Sequence, residues 1–171
     1  MMDVKLEIPL NGLAAGESRF SWHASKEFFE SFENSEIFDA ELDIAAIVQK
    51  SGRNVLVDCE VRGSVTVECD RCLEDLVMPV DVSIAVKVRF GESGESEESG
   101  RELISLAADD SELNLGQIVY DYVCLSLPMQ RVHKDGECNP ETVRFMGVGQ
   151  VGEVSGDAEG DNPFAALKGL L

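Results

Sequence analysis

Positively charged residues are scarce in this sequence of 171 residues, which has 14 Lys and Arg against 33 Asp and Glu and a net charge of −19. Nonspecific binding to nucleic acids depends on Lys and Arg side chains that release counterions from phosphates. The composition therefore argues against a protein that coats RNA or DNA over a broad surface. An acidic membrane surface would repel the chain for the same reason.

Long apolar runs are also missing, because no stretch approaches the roughly 20 residues of a transmembrane helix. The first ten residues, MMDVKLEIPL, have neither the basic patch nor the long apolar stretch of a signal peptide. We expect a cytoplasmic protein that does not bind membranes. In that compartment its five cysteines are reduced thiols or metal ligands rather than disulfides.

Catalytic motifs are absent as well. The sequence has two histidines, and neither lies near a Ser or Asp constellation. It contains no G-x-S-x-G, G-x-G-x-x-G or P-loop pattern. Most carboxylates lie in solvated stretches, where nothing raises a pKa for acid–base work. We expect no enzyme and no small-molecule substrate.

The length corresponds to about one domain, and two stretches of unusual composition divide the chain. Residues 91–100 contain only Gly, Ser and Glu, which predicts a flexible acidic loop over 91–110. Residues 146–162 contain five glycines and four acidic residues, typical of a flexible linker. We therefore expect a single domain over 1–145, followed by the linker and a short segment over 163–171.

Strict alternation of apolar and polar residues over 55–69 and again over 76–90 predicts two long strands. The short connection Asp70–Asp75 joins them into a long central hairpin with one buried face, and Gly63 marks a bulge or bend in the first strand. Further alternating runs include Leu6 and Ile8, Phe20 and Trp22, and residues 42–48, which we expect to extend the same sheet.

Two helices are predicted to cover this sheet. The first begins at Ser25 and ends at Phe32, and the second runs from about Asn114 to Leu125, before Pro128. The fold class predicted from these elements is α+β and β-rich, with an antiparallel sheet and a few covering helices.

Cysteine spacing indicates one candidate metal site. Cys69 and Cys72 form a C-x2-C at the tip of the hairpin, a spacing that lets two thiolates bind one ion. His133 and Cys138 are the natural candidates for the other two ligands of a structural zinc site. The sixty residues between Cys72 and His133 weaken this interpretation, so a metal-free cluster of packed thiols remains the alternative.

The remaining cysteines and the other histidine have simpler interpretations. Cys59 falls on the apolar face of a strand, and Cys124 falls in an apolar helix, so both are predicted to be core residues. His23, beside Trp22, is predicted to be structural.

The C-terminal segment NPFAALKGLL has the pattern of a short amphipathic helix. Asn162 suits the cap, Pro163 suits the first turn, and Phe164 and Leu167 belong to one apolar stripe. Such a helix on a flexible linker is a common docking motif. The alternative is that it packs back on its own domain.

Three of these elements together resemble the YceD family. They are CDRCLE after an alternating strand, SLPMQRVHKDGEC after a helix, and the closing NPFAALKGLL. The resemblance implies a role in accumulation of the large-subunit (23S) ribosomal RNA, through its synthesis, processing or stability, and it transfers no catalytic residue. The positions that carry it are Cys69, Cys72, Pro128, His133, Cys138, Asn162, Pro163, Phe164 and Leu167.

An RNA-related role and a net charge of −19 can be reconciled in two ways. In the first, the near-neutral cysteine end contacts RNA locally through Arg71, Arg131, Lys134 and Arg144. In the second, which we favour, the protein binds a basic ribosomal protein or assembly factor, and its effect on rRNA is indirect. A general acidic interaction module without any ribosomal role remains a different hypothesis.

Overall fold

The computed structural model describes residues 5–33, 35–91, 100–107 and 109–145 of the chain. The predicted linker (146–162) and C-terminal helix (163–171) lie outside the described residues. The strands are β1 (Glu7–Pro9), β2 (Gly16–Ser25), β3 (Ile37–Ser51), β4 (Asn54–Glu68), β5 (Asp75–Phe90), β6 (Glu102–Leu106) and β7 (Glu112–Asn114), and the helices are α1 (Lys26–Glu30), α2 (Gly116–Ser126) and α3 (Pro140–Phe145).

β4 and β5 form the long central hairpin that the alternating pattern predicts. They pair antiparallel over their whole length, from Asn54 opposite Arg89 to Glu68 opposite Asp75. Because successive side chains of a strand point to opposite faces, the inward valines of both strands lie on one side of the hairpin, and all except the partly buried Val82 are buried. The β-rich α+β class is confirmed.

The main sheet has the strand order β2-β3-β4-β5-β6. The runs around Phe20 and over 42–48 do extend this sheet, as β2 and β3, and both pair antiparallel with their neighbours. The fifth strand was not predicted. β6 lies inside the expected loop over 91–110, so that loop is shorter than predicted, with residues 92–99 outside the described part.

β6 also corrects the prediction of a wholly antiparallel sheet, because it pairs parallel to β5, from Val86 opposite Glu102 to Phe90 opposite Leu106. A two-residue turn can join only antiparallel neighbours. The longer connection between Phe90 and Glu102 allows the chain to enter β6 in the same direction as β5. The N–H of Gly91 donates to the carbonyl of Leu106, at 3.1 Å.

The first strand corrects a second prediction. β1, which contains Ile8, pairs with β7 in a separate two-stranded sheet instead of joining the main sheet. Leu6, Ile8 and Leu113 are nevertheless almost completely buried, because they share one hydrophobic core with the main sheet. The small sheet therefore covers part of the apolar face of the main sheet.

The two predicted helices complete that cover. α1 follows Ser25 and buries Phe28 and Phe29, whereas Phe32 lies just beyond its end and is half-buried. α2 buries Val119 and Val123. No described helix is long and apolar enough to cross a membrane. α3, which follows Cys138, was not predicted.

Gly63, predicted to mark a bulge or bend, lies in the middle of β4. No bulge occurs there, because the register continues without a shift on both sides, opposite Leu42 and Val80. The backbone instead has a φ of +149°, which favours glycine. A Cβ atom at this position would lie 2.0 Å from the backbone oxygen of Glu41. Gly63 therefore allows β3 and β4 to approach each other closely.

We predict that Gly63→Ala lowers the free energy of unfolding by more than about 2 kcal/mol, because the methyl group meets the backbone of β3 at a strained φ. Gly52→Ala is the matched control, since Gly52 also has positive φ but has open space around its Cβ position. It should cost about 1 kcal/mol. Urea unfolding measures both values, and equal costs would contradict the steric explanation.

Candidate metal centre

The turn between β4 and β5 fixes the positions of Cys69 and Cys72. The N–H of Cys69 donates to the carbonyl of Glu74 at 2.9 Å, and the N–H of Leu73 donates to the carbonyl of Cys69 at 2.9 Å. Leu73 completes the turn with a φ of +62°. This closed turn presents both thiols on the same side, as the C-x2-C spacing predicts.

The chain returns to this turn after α2. The N–H of Asp70 donates to the carbonyl of Arg131 at 2.7 Å, and the N–H of Arg131 donates to the Asp70 carboxylate at 2.7 Å. These two reciprocal bonds hold the segment after Pro128 against the hairpin tip. His133 and Cys138 therefore reach the two hairpin cysteines.

The structure thus brings together all four predicted ligands. Their ligand atoms lie within 4.8 Å of one another. The Sγ atoms of Cys69 and Cys138 are 4.0 Å apart, and the Sγ of Cys72 is 3.3 Å from the Nδ1 of His133. Zn–S bonds of about 2.3 Å in a tetrahedral site place two sulfurs about 3.8 Å apart. The donor set and its spacing fit a zinc ion.

The imidazole of His133 is oriented by its second nitrogen. Its Nε2 lies 3.1 Å from the carbonyl oxygen of Asp75, and a carbonyl accepts only, so Nε2 carries the proton. Nδ1 then has a free lone pair on the side of the cysteines, 3.3 Å from the Sγ of Cys72 and 3.9 Å from the Sγ of Cys138. Metal-bound histidines usually have this arrangement, in which a carbonyl or carboxylate holds the non-ligating N–H.

The surroundings of Cys69 favour its thiolate form. Burial alone raises the pKa of this thiol, but hydrogen bonds from the backbone N–H groups of Cys72, Arg71 and His133 lower it to about 6. Burial raises the pKa of the Cys138 thiol. The lowered pKa of Cys69 favours a negatively charged sulfur, which is the form that binds metal ions.

A second, smaller apolar cluster surrounds the three cysteines. Leu76, Val132 and Val143 pack against them, and Val143 belongs to α3. The side-chain amide of Asn139 donates to the Glu74 carboxylate at 2.6 Å, which ties the start of α3 to the hairpin turn. The three thiols are at most 8% exposed as a result.

The other two cysteines and His23 do not contribute to this site. Cys59 is buried in the main core, where burial raises the pKa of its thiol to about 11, and Cys124 is half-buried on α2. His23 lies on the outer face of the sheet, with its ring nitrogens 3.0 Å from the carboxylates of Asp43 and Glu41. The hydrogen bond with Asp43 is the largest of the causes that raise the pKa of His23.

The four basic residues predicted to contact RNA or a partner lie at this end of the molecule. Two of them are exposed, and the other two lie close to carboxylates. Lys134 and Arg144 are exposed. Arg131 instead forms ion pairs with Glu36, at 2.6 Å, and with Asp70, at 4.0 Å. Arg71 lies 3.8 Å from the carboxylate of Asp135.

The other predicted partner-binding residues, Asn162, Pro163, Phe164 and Leu167, lie outside the described residues. Glu36 was missed because it is 95 residues from Arg131 in the sequence. No local pattern marks such a pair. The exposed apolar side chains near the cysteines were also missed, since each stands alone in the sequence.

Comparison with protein-family models gives a match over residues 57–171, to the family described as large ribosomal RNA subunit accumulation protein YceD. The matched region includes the central hairpin and all four candidate ligands. Searches of curated proteins and of solved structures returned no match. Because the family model covers more than half of the chain, the chain belongs to the YceD family.

Proposed function

We propose that the protein supports the accumulation of large-subunit (23S) ribosomal RNA in the cytoplasm without catalysing a reaction. In this proposal it acts by binding a basic ribosomal protein or assembly factor, and its effect on rRNA is indirect. Membership of the YceD family supports the RNA-related role. The protein-mediated route is supported by the distribution of charge around the cysteines.

Residues 66–77 and 129–145 build the cysteine cluster, and residues 35–39 join this end of the molecule through the ion pair between Glu36 and Arg131. Together they contain nine acidic and four basic residues, a net charge of −5. Of the four bases, Arg131 is already paired with two carboxylates and Arg71 lies near another. A base that is paired in this way gains less from a phosphate than a free one does. This negative end is therefore better suited to a basic protein than to RNA.

We also propose that Cys69, Cys72, His133 and Cys138 hold one zinc ion. Four protein ligands leave no position for water or substrate, so such an ion would act as a structural crosslink rather than a catalyst. It would join the hairpin tip to the segment before α3. The metal-free cluster of packed thiols remains the competing hypothesis.

The protein purified without chelators is predicted to contain about one zinc ion per chain. Cys69→Ser should abolish this content and lower the melting temperature by about 10 °C, because the crosslink is lost. Cys124→Ser is the control, since Cys124 lies on α2 outside the cluster. Elemental analysis and thermal unfolding measure both effects. Wild-type protein without metal would favour the packed-thiol hypothesis instead.

The route of action is tested with two purified probes, protein-free 23S rRNA and rRNA-free proteins of the large subunit. We predict binding to the proteins and only weak binding to the rRNA at physiological salt, with Lys134→Glu and Arg144→Glu leaving the protein interaction intact. Tight rRNA binding that falls steeply with salt, and is lost in these variants, would establish direct contact instead. Binding to neither probe would favour the general acidic module.

The C-terminal segment is proposed to be a docking motif on a flexible linker (146–162). A flexible chain of about 17 residues spans roughly 20–25 Å on average, which lets the segment search for a groove on a partner. Asn162 and Pro163 suit the start of a helix, and Phe164 and Leu167 supply its apolar stripe.

Replacing Phe164 and Leu167 together by Ala is predicted to reduce co-sedimentation with large-subunit precursors, because the apolar stripe is lost. The melting temperature should stay within about 1 °C of the wild-type value, since a docking segment adds little to the domain. Lys168→Ala, which leaves the stripe intact, is the control. A large fall in melting temperature would show that the segment packs on its own domain.

A further inference from the structure

Exposed large apolar side chains are concentrated around the cysteine cluster. Of the eight such side chains in the described part of the chain, five belong to the three segments that form this end of the molecule. Single exposed apolar residues are common, whereas a group of them around one structural feature marks an interaction site. We call this group the cysteine-end surface, and its members are Phe38, Leu73, Val77, Met129 and Phe145.

Each member is held close to the cluster by its backbone. Leu73 directly follows Cys72, and Val77 lies two residues after Asp75, whose carbonyl binds His133. Met129 lies two residues before Arg131, in the segment that is hydrogen-bonded to the hairpin turn.

The other two members lie on neighbouring elements. Phe38 lies at the register shift of β3 and, with Glu68, Asp70 and Arg131, lines an open cleft of about 380 Å³. Phe145 ends α3, two residues after Val143, which packs against the cysteines. All five residues therefore lie on backbone that adjoins the cluster.

Leu73 occupies a turn position that requires a positive φ but does not require a leucine. It is the only non-glycine residue in the described part of the chain with positive φ, a conformation that is uncommon for a bulky side chain. The residue is 64% exposed, so little burial offsets this cost. A glycine or asparagine would fit the turn with less strain. Strain that serves no packing role is a mark of functional positions.

Carboxylates surround these apolar side chains. Glu36, Glu68, Asp70, Asp135 and Glu141 are all exposed, and the segments that meet here have a net charge of −5. An apolar centre with an acidic rim matches a segment that presents an apolar stripe flanked by Lys and Arg.

We propose that the cysteine-end surface binds a basic amphipathic segment of the protein partner, and that Leu73 and Met129 are buried in the contact. This inference rests on the proposed function, because it names the surface and the kind of segment through which the basic partner binds. The candidate metal centre then has a second role, since it holds in place the backbone that carries the apolar side chains.

Two other occupants fit the surface less well. The protein's own segment 163–171 has one Lys and no Arg, so it offers little charge to a surface of net charge −5. RNA would be attracted to the opposite end of the sheet, where residues 49–56 and 86–91 contain four basic and no acidic residues. The adjoining stretch 92–99 contains four glutamates and would oppose RNA even there.

The test uses full-length protein and the rRNA-free proteins of the large subunit. Leu73→Asn combined with Met129→Ser should weaken binding about tenfold, since two central apolar contacts are lost. Both residues are exposed, and Asn tolerates positive φ, so the fold should be retained. The control combines Ile47→Thr with Leu103→Thr, which remove exposed apolar side chains elsewhere on the sheet, and it should bind within about twofold of wild type.

Carbodiimide coupling, which joins a carboxylate directly to a lysine amine, locates the contact independently of these variants. We expect coupling of the bound proteins to Glu36, Glu68 and Asp70. Equal binding by both double variants, or coupling only to carboxylates on the outer face of the sheet such as Glu60, would overturn the surface assignment and leave the proposed function standing. Coupling of these carboxylates to Lys168 of the same chain would also overturn it.

Failure of the proposed function gives a different result. In that case no large-subunit protein binds the wild-type chain, and the surface inference fails with it. Binding to protein-free 23S rRNA that is lost on Arg53→Glu and Lys87→Glu, at the opposite end of the sheet, would replace the protein-mediated route by direct RNA contact.

Discussion

The reciprocal hydrogen bonds between Asp70 and Arg131 hold together two parts of the chain that lie 61 residues apart, and the candidate metal centre depends on this contact. Closing a loop of that length costs roughly 3–4 kcal/mol of chain entropy. Packing of α2 against β5 offsets part of this cost, because it already brings the chain near the hairpin. A bound zinc ion would offset more, since its binding energy adds to folding energy.

Much of the fold is predictable from the sequence because the long strands follow a short-range periodicity, and each half of the candidate site is marked by local spacing. In β4 and β5 the side-chain period of two fixes which residues are buried, and a one-residue slip of a strand would expose its buried valines. The C-x2-C between these strands has a spacing that already restricts its geometry. His133 and Cys138, close together and both of ligand type, are the natural partners of this pair, although the sequence alone leaves a metal-free cluster of packed thiols as the alternative.

What could not be predicted depends on contacts between distant residues. β6 has five residues and β1 and β7 three each, so their sequences contain too few alternations to show which neighbour they choose. The residues around Ile8 predict a strand but not its partner. Ile8 would be buried in either sheet, so its apolar side chain does not distinguish pairing with β7 from pairing with the main sheet. The ion pair between Arg131 and Glu36 likewise depends on the position of β3 in the folded structure, which no local pattern shows.

That pairing changes how the charge of the molecule should be interpreted. From the sequence, residues 129–145 are neutral, with three basic and three acidic residues, and this is why local RNA contact was a reasonable hypothesis. Folding adds Glu36 and the acidic residues of the hairpin turn to the same end. The bases are then partly neutralised at short range, and this end keeps a net charge of −5 around exposed apolar side chains. Net charge alone predicts repulsion from RNA over the whole surface. The arrangement of the charges makes a more specific prediction, namely that the acidic end around the cysteines can bind a basic protein.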